Sequence, residues 1–277
     1  MLSEATLYES HMHTPLCKHA KGEPEEYAAV AEQRGLTGII VTCHNPTNDG
    51  WGTRYRMDVS QFEDYVALVA RAREAWTGRV DVRLGMECDY YPGAEAWLED
   101  LLGRAEFHHV LGSVHPELAE YKDRYFNGDV FELQRTYFEH LAQAAESGLF
   151  DTLAHPDLVK NFEPAKWQLE RLWPDIQHSL DRIAKTGVAM ELNTSGLNKR
   201  VPEMNPGAGI LAEMRERNIP VVIGADAPAP KRVGANYEEA LDLLEGAGYR
   251  HISIFLARKR HEMTIDLARR SLKYPVA

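Results

Sequence analysis

A chain of 277 residues with 44% hydrophobic content is long enough to bury a sizeable core in one α/β domain. Against 31 basic residues stand 42 acidic ones, a net charge of −11, so no broad basic face is available to a nucleic-acid backbone or an anionic membrane, and a small-molecule ligand is expected. No run approaches the roughly 20 apolar residues of a membrane span, residues 1–10 lack the basic start and apolar run of a secretory signal, and the three cysteines Cys17, Cys43 and Cys88 are too few for a disulfide framework, so a cytoplasmic protein with reduced thiols is expected.

In chain order, short apolar runs alternate with amphipathic ones. A predicted strand at Thr6–His13 precedes a helix at Pro24–Arg34, a strand at Gly38–His44 precedes a helix at Ser60–Trp76, and a strand at Val80–Tyr90 precedes a helix at Ala94–Arg104. The alternation continues with strands at His108–His115, Phe150–His155, Val188–Thr194, Pro220–Asp226 and His251–Leu256. Between them lie helices at Val130–Ser147, Leu169–Thr186, Gly207–Arg217 and Tyr237–Ala247, many stopped by a following Gly or Asn. No linker, charge block or low-complexity segment interrupts the pattern, which predicts one domain over 1–277. Repeated βα units imply a parallel sheet with helices outside, and this number of strands favours a TIM-like barrel over an open sheet.

The polar residues fall at matching places on those strands. His11 and His13 end the first, His44 the second, Glu87 the third, His115 the fourth, His155 the fifth and Asp226 the seventh. A single strand-terminal histidine is ordinarily a hydrogen-bonding residue. In a parallel barrel, however, the carboxyl ends of the strands share one mouth, so these residue types at corresponding positions point to a metal cluster. The spacing His11-x-His13 puts two imidazoles on one face of a strand, with His19 following in a short turn. Histidine suits Zn, Fe, Mn or Ni, while Glu87 and Asp226 add charge and can bridge two cations. His108, His109, His140, His178, His251 and His261 lack such placement and are expected in structural or solvent roles. Side-chain alternation predicts that the Cys43 and Cys88 thiols point away from the site; Cys17, in a loop, is left open.

These motifs resemble the polymerase-and-histidinol-phosphatase (PHP) metal-dependent phosphoesterases, and within them the histidinol-phosphatase branch. The resemblance spans nearly the whole chain and is carried by HMHTPLCKHA (11–20), VTCHNP (41–46), GMECDYYPG (85–93), VLGSVHP (110–116), LAHPDLVK (153–160), ELNTSGLNKR (191–200) and GADAPAPKRVG (224–234). It implies a distorted seven-stranded βα barrel in which the eighth predicted strand is peripheral. It further implies one metal on His11, His13, Glu87 and Asp226, a second on Glu87, His115 and His155, and a third on His19, His44 and a histidine two residues beyond Asp226. That last position is Pro228, which cannot ligate through its side chain. A two-metal variant, a third ion completed by water, phosphate or a displaced residue, and a weakened enzyme are the alternatives; two firm sites and a weak or substrate-completed third are expected. Cys43 stands where an acidic residue often precedes the histidine, which bears on the support of the ligands rather than on ligation.

The resemblance implies hydrolysis of L-histidinol phosphate to histidinol and phosphate in histidine biosynthesis. Two divalent metals (Zn, Mn or Fe) would lower the pKa of a bridging water for in-line attack, with Glu87, Asp226 and His155 as the catalytic set. Fixed positive charge for the phosphate is expected from Arg200 first, then Lys199 and Lys160. The long loop 45–58, with Trp51, Arg54, Tyr55 and Arg56, is placed to cover the substrate, and Glu117 or Asp123 to meet the substrate's amine. Other readings are a PHP phosphatase for a nucleotide or sugar ester, and a non-catalytic metal-binding regulatory protein, in which decay of the strand-end ligands would be expected. A polymerase-associated editing module lacks its basic groove here, and a binuclear amidohydrolase would want a strand lysine that is not found.

Overall fold

The computed structural model describes residues 7–273, so Thr6 of the first predicted strand lies outside the described residues. The elements follow as β1 (Tyr8–Glu9), α1 (Pro24–Gln33), β2 (Gly38–Val41), α2 (Phe62–Ala75), β3 (Asp81–Asp89), α3 (Glu95–Leu102), β4 (His109–Ser113), α4 (Ala119–Tyr125), α5 (Val130–Glu146) and β5 (Thr152–Leu153). Then come α6 (Leu169–Thr186), β6 (Ala189–Asn193), α7 (Ala208–Glu216), β7 (Val221–Gly224), α8 (Tyr237–Gly246), β8 (His251–Leu256), β9 (Lys259–Thr264) and α9 (Ile265–Ser271).

Strands β1 to β7 pair in sequence order, each parallel to the next. The ring is drawn together at its mouth, where Met12 bridges Ala227 in parallel and the His13 and Ala227 amides donate to the Ala227 and His11 carbonyls. This is the seven-stranded βα barrel that the resemblance implies, whereas the alternation alone predicts an eighth strand in sequence with the others. The strands are near-continuous buried runs, Ile39, Ile40 and Val41 in β2 and Val221, Val222 and Ile223 in β7, because helices cover one face and the barrel interior the other.

Local signals fix where helices start and stop. Glu23 and Glu26 form a reciprocal capping box at α1, the Asp129 carboxylate accepts from the Phe131 and Glu132 amides at α5, and Gly187, at φ +76°, ends α6. Buried apolar side chains recur at helical spacing on the inward face of α5, from Leu133 through Tyr137 to Leu141 and Ala145.

The last predicted strand, β8, is not a stave. It pairs antiparallel with β9, which sequence reading missed, and this hairpin closes the amino-terminal end of the barrel. Ile254 packs with Tyr8 and Ile40, and Phe255 with Ala189 and Val222, while the His109 ring stacks on Phe255 at 5.0 Å. Strands β1 and β5 are shorter than predicted, because beyond Glu9 and Leu153 the backbone leaves the ladder to aim side chains into the mouth.

Candidate metal centre

Seven strand-end side chains meet in one volume at the carboxyl end of the barrel, at the floor of a cavity of about 420 Å³. Glu87, fully buried on β3, is the hub. Its Oε2 faces the Nε2 of His11 at 3.4 Å, the Nε2 of His13 at 3.7 Å and the Nδ1 of His44 at 2.8 Å; its Oε1 faces the Nε2 of His155 at 3.0 Å and of His115 at 3.4 Å. Asp226 Oδ1 lies 2.9 Å from His13 Nε2 and 3.7 Å from His11 Nε2. The carboxylate therefore divides the imidazoles into two sets, one per oxygen.

A second layer fixes which ring nitrogen looks inward. Glu191 on β6, fully buried, accepts from His11 Nδ1–H at 2.7 Å, and Asp89 on β3 accepts from His115 Nδ1–H at 2.5 Å, so the Nε2 of each histidine faces Glu87. Glu191 also accepts from the His155 amide and the Asn193 side chain, and Arg56 clamps Asp89 through two nitrogens at 2.5 and 2.7 Å. Sequence reading gave Glu191, Asp89 and Arg56 no such role. The signal was there: Asp89 lies two residues beyond Glu87 on the same strand face, and Glu191 sits near the end of the one barrel strand for which no ligand had been named.

These groups fit a cation. His11 Nε2, His44 Nδ1 and Glu87 Oε2 are buried without a hydrogen-bond partner, and lone pairs that face one another across 3 to 4 Å repel unless positive charge lies between them. Ligand atoms of His11, Glu87 and His155, of His11, His13 and Asp226, and of His13, His44 and Glu87 fall in groups within 4.8 Å. The titration directions agree. Burial opposes charge on His115 and His13, yet Asp89 lifts the first to about 10 and Asp226 and Cys43 lift the second to about 9. Burial resists ionisation of Glu87, but His44 and His11 hold it well below the usual carboxylate range, and burial with Arg56 nearby pushes His44 well below its ordinary value. His155 and Asp226 adopt φ of +32° and +46°, a conformation costly for non-glycine residues and concentrated at functional sites.

The proposed substrate-binding residues are less uniformly placed. Lys199 lines the cavity with its Nζ 3.9 Å from Asp226 Oδ2, and Glu117 lines it beside Leu118 and Leu158. Arg200, the first choice from sequence, faces an adjoining cavity that shares Glu117, Leu158 and Lys199. Arg54 is exposed over the Tyr55 ring, and Tyr55 and Arg56, not Arg54, line the metal cavity. Lys160 is fully buried away from the cavity lining, donating to Asp157 at 3.0 Å and the Met204 carbonyl at 2.9 Å with Glu203 at 3.1 Å, so that it ties two loops together. The Cys43 sulfur does not point away from the site as alternation predicts: it accepts from the Thr14 amide and hydroxyl and lies against His13 and Cys17, because the strand β2 ends at Val41 and the period-two rule no longer holds beyond it.

The sequence matches the PHP domain over residues 9–195. The chain belongs to the PHP family. A protein of Deinococcus radiodurans named "probable histidinol-phosphatase" is 38% identical over 260 residues, 89% of this PHP chain and 96% of the relative. The histidinol-phosphatase of Bacillus subtilis is 24% identical over 270 residues, covering 84% and 98%. Among solved structures, histidinol phosphate phosphatase of Lactococcus lactis, crystallised with zinc, L-histidinol and phosphate, shares the fold with a TM-score of 0.76 at 17% identity, over 92% of this chain and 99% of that one.

Proposed function

We propose that this PHP protein is a metal-dependent phosphomonoesterase that hydrolyses L-histidinol phosphate to L-histidinol and phosphate. The observation that carries the metal-dependent chemistry is Glu87, whose two oxygens address two separate imidazole sets as a bridging carboxylate does. The substrate comes from the relatives, the nearest of those quoted being 38% identical over most of both chains.

His11, His13, Glu87 and Asp226 would hold one ion and Glu87, His115 and His155 a second, with zinc, manganese or iron the suitable metals. Bound there, a pair of divalent ions supplies Lewis acidity toward water and toward the phosphoryl oxygens. The protein's own part is positioning. Glu191 and Asp89 hold His11 and His115 in one tautomer, Ser195 donates to Asp226 Oδ2 at 3.0 Å and leaves Oδ1 turned to His13, and Lys199 gives the rim a fixed positive charge for the phosphate. Leu118 and Leu158 keep water from the cavity wall, and Glu117 offers a carboxylate to the substrate's ammonium. Arg56 carries no free charge for phosphate, because Asp89 neutralises it. The small-molecule site and three free cysteines support a cytoplasmic biosynthetic enzyme.

Metal-supplemented turnover tests the reading. kcat/KM on L-histidinol phosphate is expected to exceed that on p-nitrophenyl phosphate, sugar phosphates and nucleotides by at least about 10²-fold, the discrimination available when buried polar groups lose their partners. Equal rates across those esters would sink the substrate assignment.

A further inference from the structure

We propose that Cys17 supplies a sulfur ligand to a third divalent-cation site, built with His19 and a ring nitrogen of His13, where Pro228 has removed an imidazole. The proposal rests on the metal-centre reading above but assigns a ligand outside it. One ligand atom each of His13, Cys17 and His19 lies within 4.8 Å of the others. The Cys17 sulfur and His19 Nε2 are 3.8 Å apart. Two ligands of a tetrahedral zinc, at about 2.3 Å for sulfur and about 2.0–2.1 Å for nitrogen, stand roughly 3.5 Å from each other, so little movement is needed to chelate one ion.

The loop is shaped for this. Pro15–Cys17 form a single tight turn, closed by Lys18 at φ +66°, which sends Cys17 inward and folds His19 back over it. Cys17 is 0% exposed while Pro15, Lys18 and His19 around it are exposed, so the turn reserves its buried position for the thiol. His19 Nδ1–H donates to the Cys17 carbonyl at 3.1 Å, leaving the Nε2 lone pair toward the sulfur. His13, 2% exposed, has a buried Nδ1 with no hydrogen-bond partner. The segment that carries Pro228 docks on this loop, for the Lys21 amide donates to the Pro228 carbonyl at 2.9 Å, and Pro228 itself offers no side-chain donor there.

The chemistry balances without an oxidant. The Cys17 thiol donates to the Thr14 carbonyl at 2.9 Å; on coordination its proton leaves to solvent, and so does the Nδ1 proton of His13, whose Nε2 is turned to Glu87 and Asp226, so that His13 serves as an imidazolate; the sulfur and Nδ1 lone pairs form the new bonds to the cation, and no oxidation state changes. A thiolate beside imidazoles selects borderline and soft ions, zinc, cobalt or cadmium, over manganese or magnesium.

The test is spectroscopic and independent of turnover. Full-length protein stripped with chelator is titrated with Co(II), and a near-ultraviolet sulfur-to-cobalt charge-transfer band is expected as the last ion binds. Cys17→Ser should abolish the band, His19→Asn, at an exposed position that folding tolerates, should weaken or shift it, and Cys43→Ser and Cys88→Ser should keep it. Zinc-edge X-ray absorption of the unmutated protein should show a sulfur neighbour at about 2.3 Å. No band and no sulfur scatterer at full metal loading, or a band lost only in Cys43→Ser, would overturn the assignment even if histidinol phosphate is turned over. A band in a protein that ignores histidinol phosphate would overturn the substrate and leave the sulfur ligand standing.

Discussion

Glu87 serves both imidazole sets with one charged group, so removing its charge affects both at once. Glu87→Gln keeps the shape and withdraws the anion; elemental analysis is expected to show loss of most bound metal, and turnover to fall by at least about 10²–10³-fold, the scale for losing one preorganised electrostatic contact. Unchanged metal content in that variant would refute the bridging role. Asp89 works one layer out. Burial disfavours its charge, but Arg56 and His115 keep it ionised far below its usual range, so its stabilising contribution is present above the unfolded carboxyl value near 4 and is lost as pH falls toward the depressed folded value. Asp89→Asn leaves Arg56 buried and unpaired and is expected to cost about 3–5 kcal/mol in denaturant unfolding. The histidines titrate the other way. With folded values raised to about 9 for His13 and about 10 for His115, the metal-free protein holds these rings protonated at neutrality. Their stabilising contribution is complete below the unfolded value near 6.5 and is lost as pH rises through 9 to 10, while zinc affinity rises over the same window because the ion must displace those protons. Calorimetric zinc titration in buffers of different ionisation enthalpy should detect the released protons; affinity independent of pH between 6 and 9 would contradict this.

At the scale of elements, what the strands give the site is an exit direction. The ladder in β1 ends at Glu9 and in β5 at Leu153, and the candidate ligands sit just past those ends. β7 ends in Gly224, where an added Cβ would stand 2.0 Å from Glu191 Oε1 and 2.8 Å from His11 Cβ. Both neighbours are buried and have no room to retreat. Gly224→Ala is therefore expected to destabilise by about 1–3 kcal/mol and to lower metal affinity together, since the displaced groups are a proposed ligand and the carboxylate that holds its tautomer. A variant with normal stability and metal content would show that this end of the barrel is looser than its packing implies. Element order and type were legible because the apolar runs and amphipathic periods are strong. The β8–β9 hairpin was half legible: the alternation of β8 reads as a strand, but nothing local says whether its partner is a barrel stave or the next six residues.

Across the whole molecule, side chains from six of the seven barrel strands, or the segments just beyond them, enter the cluster, so ion binding is expected to stabilise the closed barrel. Saturating metal at 100 times its dissociation constant should add about 2.7 kcal/mol per site, and a chelator should lower the Tm in a calorimetric scan; a Tm indifferent to chelator would mean that the cluster does not bind its ions in the native barrel. The sequence by itself determined the barrel and the positions along it where donor side chains stand, because periodicity and strand-end placement are properties of a chain read in one dimension. It could not decide which acids orient those donors, that Lys160 turns inward to Asp157, that Lys199 rather than Arg200 fronts the cavity, or that Cys17 comes within reach of His19. Those outcomes depend on distances between residues far apart in the chain or on the path of a loop, and burial raises the energetic stakes of each pairing only once the fold has removed the water.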